Sequence, residues 1–122
     1  MIVVDTSVWV DHFRKGAPGL VSALEESDVL MHPFVLGEIA CGNLANRSEV
    51  LPLLGDLPLA PIAADAEALA FIENHALMGR GIGYVDVHLL ASVVLAGDAK
   101  IWTRDRRLAF VANDMGLSYG DR

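Results

Sequence analysis

At 122 residues the chain is sized for one domain, spanning 1–122, with a real core and no room for a second catalytic module. Its formal net charge of −7 excludes an evenly basic nucleic-acid-binding surface, and 53% hydrophobic residues, in runs far short of the roughly 20 needed to span a membrane, predict a covered apolar interface rather than a membrane protein. A single cysteine, Cys41, excludes an internal disulfide framework and a multi-Cys zinc site; with no basic segment ahead of the first apolar residues, no secretory signal and a cytoplasmic location are expected.

Ile2–Val4 reads as a first strand, followed by a helix from about Ser7 to Arg14 and a turn at Lys15–Pro18. Leu20, Val21 and Leu24 mark a second helix, Val29–Met31 a short strand, and Pro33 limits that strand ahead of a helix containing Glu38. Asn46 to Leu54 predicts a further helix ending near Gly55, whereas 57–62, broken by two prolines, can form at most an edge strand. Ala64, Ala68, Leu69, Ile72 and Ala76 trace one helical face. Val87, Leu90, Ala91, Val94 and Leu95 trace the next, ending at Gly97. Ile101–Thr103 predicts the last strand, and Leu108, Val111, Ala112 and Met115 the last helix, ending at Gly116. Strands and helices in alternation predict an α/β domain with a mainly parallel central sheet.

Four acids, Asp5, Glu38, Asp86 and Asp105, fall where a strand or loop passes into a helix or on an early helical turn. Asp5 and Asp105 sit at strand ends, where open α/β sheets place their ligand crevice, although either could equally cap the helix that follows. Asp86 lies on a helix that is apolar on nearly every face, which draws its carboxylate inward, where a bare charge is costly. Glu38 flanks the apolar stripe Val35-Leu36-Ile39-Ala40 and reads equally well as an exposed helical glutamate. Lys100, Arg104, Arg106 and Arg107 surround Asp105, with Arg14, Lys15 and Arg80 elsewhere; a helix beginning near Thr103 would put Arg104 and Arg107 on one face and Arg106 on another. Trp9, Phe13, Trp102 and Phe110 read as core or dimer-face aromatics, His12 and His88 as packing or surface residues, and Cys41 as a small buried residue.

The opening VDTSVWVDHF, the segment LGEIACG and the stretch GYVDVHLLASVVLAGDAKIWTRDRRL, in that order, resemble the PIN-domain ribonucleases and, among them, the VapC-type toxins of bacterial toxin–antitoxin pairs. The resemblance spans nearly the whole chain. It implies a three-layer α/β/α domain in which Asp5, Glu38, Asp86 and Asp105 bind Mg²⁺ or Mn²⁺, Thr6, Ser7 and Thr103 support them through their hydroxyls, and metal-activated water cuts RNA. It further implies a homodimer inhibited by a small antitoxin, with tRNA the favoured substrate and rRNA or mRNA the alternatives. Asp114 is poorly placed to be a further site acid.

The residue types agree with those implications. Several carboxylates with no histidine or cysteine beside them suit hard Mg²⁺ or Mn²⁺ better than Zn²⁺, and a phosphodiester is the natural substrate of such a centre, with 5′-phosphate and 3′-hydroxyl products expected. Asp5, Asp86 and Asp105 would surround the principal ion, with Glu38 orienting a water or completing a second site. The basic residues Arg104, Arg106 and Arg107 would supply a local phosphate track. Two other readings stay open at this point: a catalytically inactive PIN-like domain that binds RNA or a partner, and an aspartyl-nucleophile phosphatase, which would want D-x-D where Ser7 stands. A phospho-acceptor receiver domain fits less well, because Lys100 precedes its strand rather than following it.

Overall fold

Three consecutive β-branched residues, Ile2, Val3 and Val4, follow Met1, and all three are buried, as a strand enclosed on both faces requires. In the computed structural model, which describes residues 1–120, this strand β1 (Ile2–Val4) forms the middle of a three-stranded sheet in the order β2-β1-β3, with β2 at Val29–Leu30 and β3 at Lys100–Trp102. Both pairings are parallel: Ile2 lies opposite Val29 on one side and Lys100 on the other. Beyond β2 the sheet continues for a single bridge, Met31 to Leu59, fixed by the Met31 N–H donating to Pro58 O at 2.8 Å and the Ala60 N–H donating to Met31 O at 2.9 Å. The prolines at 58 and 61 have no N–H to extend it. At the other edge Ile101 bridges Ser118, a pairing that short, mixed sequence did not predict.

Seven helices complete a three-layer α/β/α fold: α1 (Thr6–Lys15), α2 (Pro18–Glu25), α3 (Pro33–Cys41), α4 (Arg47–Gly55), α5 (Asp65–Asn74), α6 (Tyr84–Ala96) and α7 (Arg106–Asp114) among the described residues. Helix α6 is buried without interruption from Val87 to Val93, so it runs through the core rather than over it. Its last turn emerges, and Val94 and Leu95, expected on the core face, are about half exposed. Helix α5 likewise turns Ala68 and Phe71 inward and leaves Leu69 outside. In both cases apolar periodicity identifies a helix but not its phase, because residues on more than one side are hydrophobic. Cys41 corrects another expectation. It is exposed, since α3 buries only Val35 and Ile39 and Cys41 closes the helix beyond them.

Two of the buried polar residues are histidines. His32 is fully enclosed and caps α3, its Nδ1 accepting from the Phe34 N–H at 3.0 Å; the proton on that ring must then sit on Nε2, which finds no partner. The rings of His32 and His88 stand 6.4 Å apart, with Phe34 packed against both. Burial, helped by the proximity of His88, pushes the His32 imidazole down to about 4.

Candidate active site

Asp5 leaves the end of β1 and caps α1, its carboxylate almost wholly buried. One of its oxygens, Oδ2, accepts from the Ser7 hydroxyl at 2.7 Å, the Thr103 hydroxyl at 2.7 Å and, more loosely, the Ser7 N–H at 3.4 Å. Each hydroxyl in turn accepts a backbone N–H from the loop after β3: Arg104 to Ser7 Oγ at 2.9 Å and Asp105 to Thr103 Oγ1 at 3.0 Å. The proton directions are thereby set, and Asp5 is tied to a loop nearly a hundred residues away.

The other three acids share a pattern. Glu38 is exposed on α3 and accepts from the Thr6 hydroxyl at 2.6 Å through Oε1. Asp86, in the first turn of α6, accepts from the Gly83 N–H at 3.0 Å through Oδ2, and Asp105 caps α7, its Oδ1 taking the Arg107 and Leu108 N–H groups at 2.9 and 3.0 Å. Each of the four carboxylates thus gives one oxygen to a protein donor and keeps its second oxygen unbonded among the described residues. The acids sense one another. Asp86 is pushed above the usual carboxylate range first by burial, against the lowering pull of the Gly83 N–H, and then by the charges of Asp5, Asp105 and Glu38. None of the four has an arginine, lysine, histidine or the N-terminal ammonium within ion-pairing distance among the described residues, whereas Asp11, Asp65 and Asp114 each have a basic side chain there and Asp28 has the ammonium of Met1.

The raised pKa of Asp86 has a definite consequence for stability. Because its folded-state value lies above the unfolded 3.8, its stabilising contribution is complete below that pH and is lost as the pH rises and the carboxylate ionises. At neutral pH the metal-free protein therefore holds an unfavourable charge. Asp86→Asn, whose amide oxygen can still accept from Gly83, should stabilise the metal-free protein at pH 7 by up to about 1 kcal/mol and raise its melting temperature, the partial solvent exposure limiting the gain. Thermal melts should show the advantage vanish near pH 3; an equal gain at both pH values would assign it to something other than charge.

Residues 2–114 match the family model of the PIN domain. Over 121 residues the chain is 40% identical to Ribonuclease VapC32 of Mycobacterium tuberculosis, in the CDC 1551 and H37Rv strains alike, covering 99% of this chain and 98% of that protein. The chain belongs to the PIN-domain family, with the VapC-type ribonucleases. A match at 33% identity to hydroxyethylthiazole kinase of Yersinia enterocolitica takes in 64% of this chain and only 30% of the kinase, too little of that enzyme to bear on the fold.

Within this PIN domain the three predicted hydroxyls all touch site acids: Thr6 on Glu38, Ser7 and Thr103 on Asp5. The arginines depart from expectation. Helix α7 begins at Arg106, not near Thr103, so Arg104 lies outside it and shares no helical face with Arg107. Arg104 instead pairs with Asp11 at 2.7 Å, holding that carboxyl below its ordinary value, and rests over the Trp102 ring. Arg106 and Arg107 line one cleft with Arg80 and Phe110. Phe110 is not core: it is 68% exposed, and Phe13 is also at the surface, while Trp9 is buried and Trp102 partly so. His88 is a buried packing residue.

Proposed function

We propose that this chain is a metal-dependent endoribonuclease that acts as the toxin of a type II toxin–antitoxin pair, with Asp5, Glu38, Asp86 and Asp105 as its catalytic acids. The observation that supports this reading best is the set of four mutually repelling carboxylates, each anchored by one oxygen, offering the other, and lacking a protein counter-cation among the described residues. No three of these side chains are gathered tightly enough to enclose a bare ion as they stand. That fits Mg²⁺, which keeps several of its waters and takes only one or two carboxylates directly, the remaining acids reaching it through water. The all-oxygen donor set fits Mn²⁺ also and disfavours zinc.

A bound divalent cation would supply charge neutralisation at the phosphate and an acidified water. The chain's own residues do the rest. Asp5, locked by the Ser7 and Thr103 hydroxyls, presents Oδ1 in one fixed place; Asp105, held by two N–H groups, presents Oδ2 from the facing loop. Glu38, exposed and anchored only through Thr6, keeps the freedom to orient a water toward phosphorus. In-line attack by water would leave a 5′-phosphate and a 3′-hydroxyl.

An apolar groove of about 520 Å³ borders Glu38, lined by Val10, Phe13, Ile39, Leu44 and Val50 among others. It supports an apolar antitoxin segment covering the site, and the exposed aromatic and aliphatic residues elsewhere support a homodimer. No helix among the described residues is long and apolar enough to cross a membrane. The toxin reading places the protein in the cytoplasm, acting on RNA, tRNA foremost. Purified protein should cut RNA with Mg²⁺ or Mn²⁺ and not with EDTA, and end-labelling should reveal 5′-phosphates. Folded protein that leaves tRNA, rRNA and mRNA intact in both metals would overturn the enzyme reading in favour of an inactive binding domain, and a monomer by light scattering at working concentration would remove the dimer.

A further inference from the structure

We propose that the cleft between the start of α7 and the loop preceding α6 is a nucleotide subsite for single-stranded RNA, in which Arg106 and Arg107 take a phosphate, Phe110 stacks on the adjoining base, and Arg80 supports both. The choice of RNA rests on the ribonuclease reading above; the cleft itself does not. It has a volume of about 530 Å³ and is lined by Arg80, Arg106, Arg107 and Phe110. That lies within the roughly 300–1,000 Å³ of small-ligand pockets.

Several features of the cleft serve no purpose in the folded chain alone. Arg106 and Arg107 occupy the first turn of α7, where a positive charge opposes the helix dipole, and neither guanidinium has a carboxylate partner among the described residues. Phe110, one helical turn on, holds its ring in solvent at 68% exposure, with the Arg80 guanidinium 5.9 Å from its centroid. Arg80 is steadied from behind by Asp114 at 3.3 Å. Arg107 is laid down deliberately: Gly81, at φ +82°, passes so close beneath it that a Cβ there would stand 2.8 Å from its Cδ and 3.0 Å from Nη1. The stem is thus seated on backbone, and only glycine permits it.

Cations flanking an exposed ring match a nucleotide, whose phosphate and base satisfy both at once. An acidic peptide would neutralise the arginines but leave Phe110 unused. A base within a duplex is already stacked on both faces and cannot reach the ring, so the strand must be single. The Arg107 N–H donates to Asp105 Oδ1, so the helix start that carries the two arginines also carries one of the four acids.

The test is titration of a labelled single-stranded RNA hexamer in EDTA, where no cleavage occurs, across a range of salt. The double variant R106A/R107A should reduce the slope of log affinity against log salt by about 0.7, the value of one phosphate contact, and Gly81→Ala, which displaces only Arg107, by less than that. Phe110→Ala should weaken binding about tenfold with the slope unchanged, and Phe110→Trp should restore it. An abasic residue at one position of the hexamer should reproduce the Phe110→Ala loss, with no further loss on combining the two. Phe110 and the arginines are exposed, so their variants should keep the wild-type melting temperature, and Gly81→Ala, strained at φ +82°, should melt lower yet still in one cooperative step above the assay temperature. Unaltered affinity in Phe110→Ala, or equal competition by polyglutamate against wild type and Phe110→Ala, would overturn the subsite. Because binding is read without metal, failure of the nuclease reading leaves these outcomes standing, and an active nuclease indifferent to the cleft variants overturns the subsite alone.

Discussion

Asp5→Asn is expected to lose at least about a hundredfold of the RNA-cleaving rate in Mg²⁺ while keeping its fold. The Ser7 and Thr103 hydroxyls both donate to Oδ2, and an NH₂ group in its place would take away the acceptor that those two protons share. The asparagine amide must therefore turn its oxygen toward them. Its NH₂ group then stands where Oδ1 stood, pointing the positive end of a dipole at the place a cation would take. The hydroxyl contacts survive and one of four repelling charges is gone, so the metal-free variant should melt no lower than wild type. Cleavage assays beside thermal melts measure both halves; undiminished cleavage by Asp5→Asn, free of wild-type enzyme, would eliminate the four-acid site.

Acid should destabilise the protein through His32. Its folded-state value of about 4 lies below the unfolded 6.5, so its contribution is complete above pH 6.5 and is lost as the pH falls toward 4, where the unfolded chain binds a proton the folded chain refuses. Between pH 7 and about pH 4.5 that amounts to roughly 2 kcal/mol, a large share of a marginal total. His32→Asn keeps an acceptor for the Phe34 N–H and cannot charge, so it should flatten this part of the profile, whatever it costs at pH 7. Urea unfolding at the two pH values is the measurement. If wild type and variant lose equal stability, the acid sensitivity belongs to another group.

The hand-over from apolar strand to acid at Val4–Asp5 was legible because burial and chemistry there depend on adjacent residues. So was the inward pull on Asp86, which follows from the apolar residues around it on one helix. The arginines were not legible in the same way. A shift of two or three residues in the start of α7 changes which side chains share a face, and Arg104 is claimed by Asp11, a partner 93 positions earlier that no local pattern announces. The cleft around Phe110 had a faint signal, an aromatic one turn after two arginines, but the seat of Arg107 depends on Gly81 in a separate loop. Cys41 and Leu69 were misplaced for a simpler reason: hydrophobicity says that some face is buried, and only packing against neighbours says which.

The middle strand of the sheet is the first to be synthesised, and one of its two neighbours is the last. While residues up to about 99 are being made, β1 has an open edge along Ile2–Val4, and the hydroxyl of Thr103 that helps to hold Asp5 does not yet exist. The domain therefore cannot mature in step with translation; it must wait for distant residues and close late, at the cost of slow, non-local folding. For a chain that would cut RNA, a nascent copy that has not yet reached residues 100–105 lacks both the Thr103 hydroxyl and Asp105, and so cannot assemble the four acids.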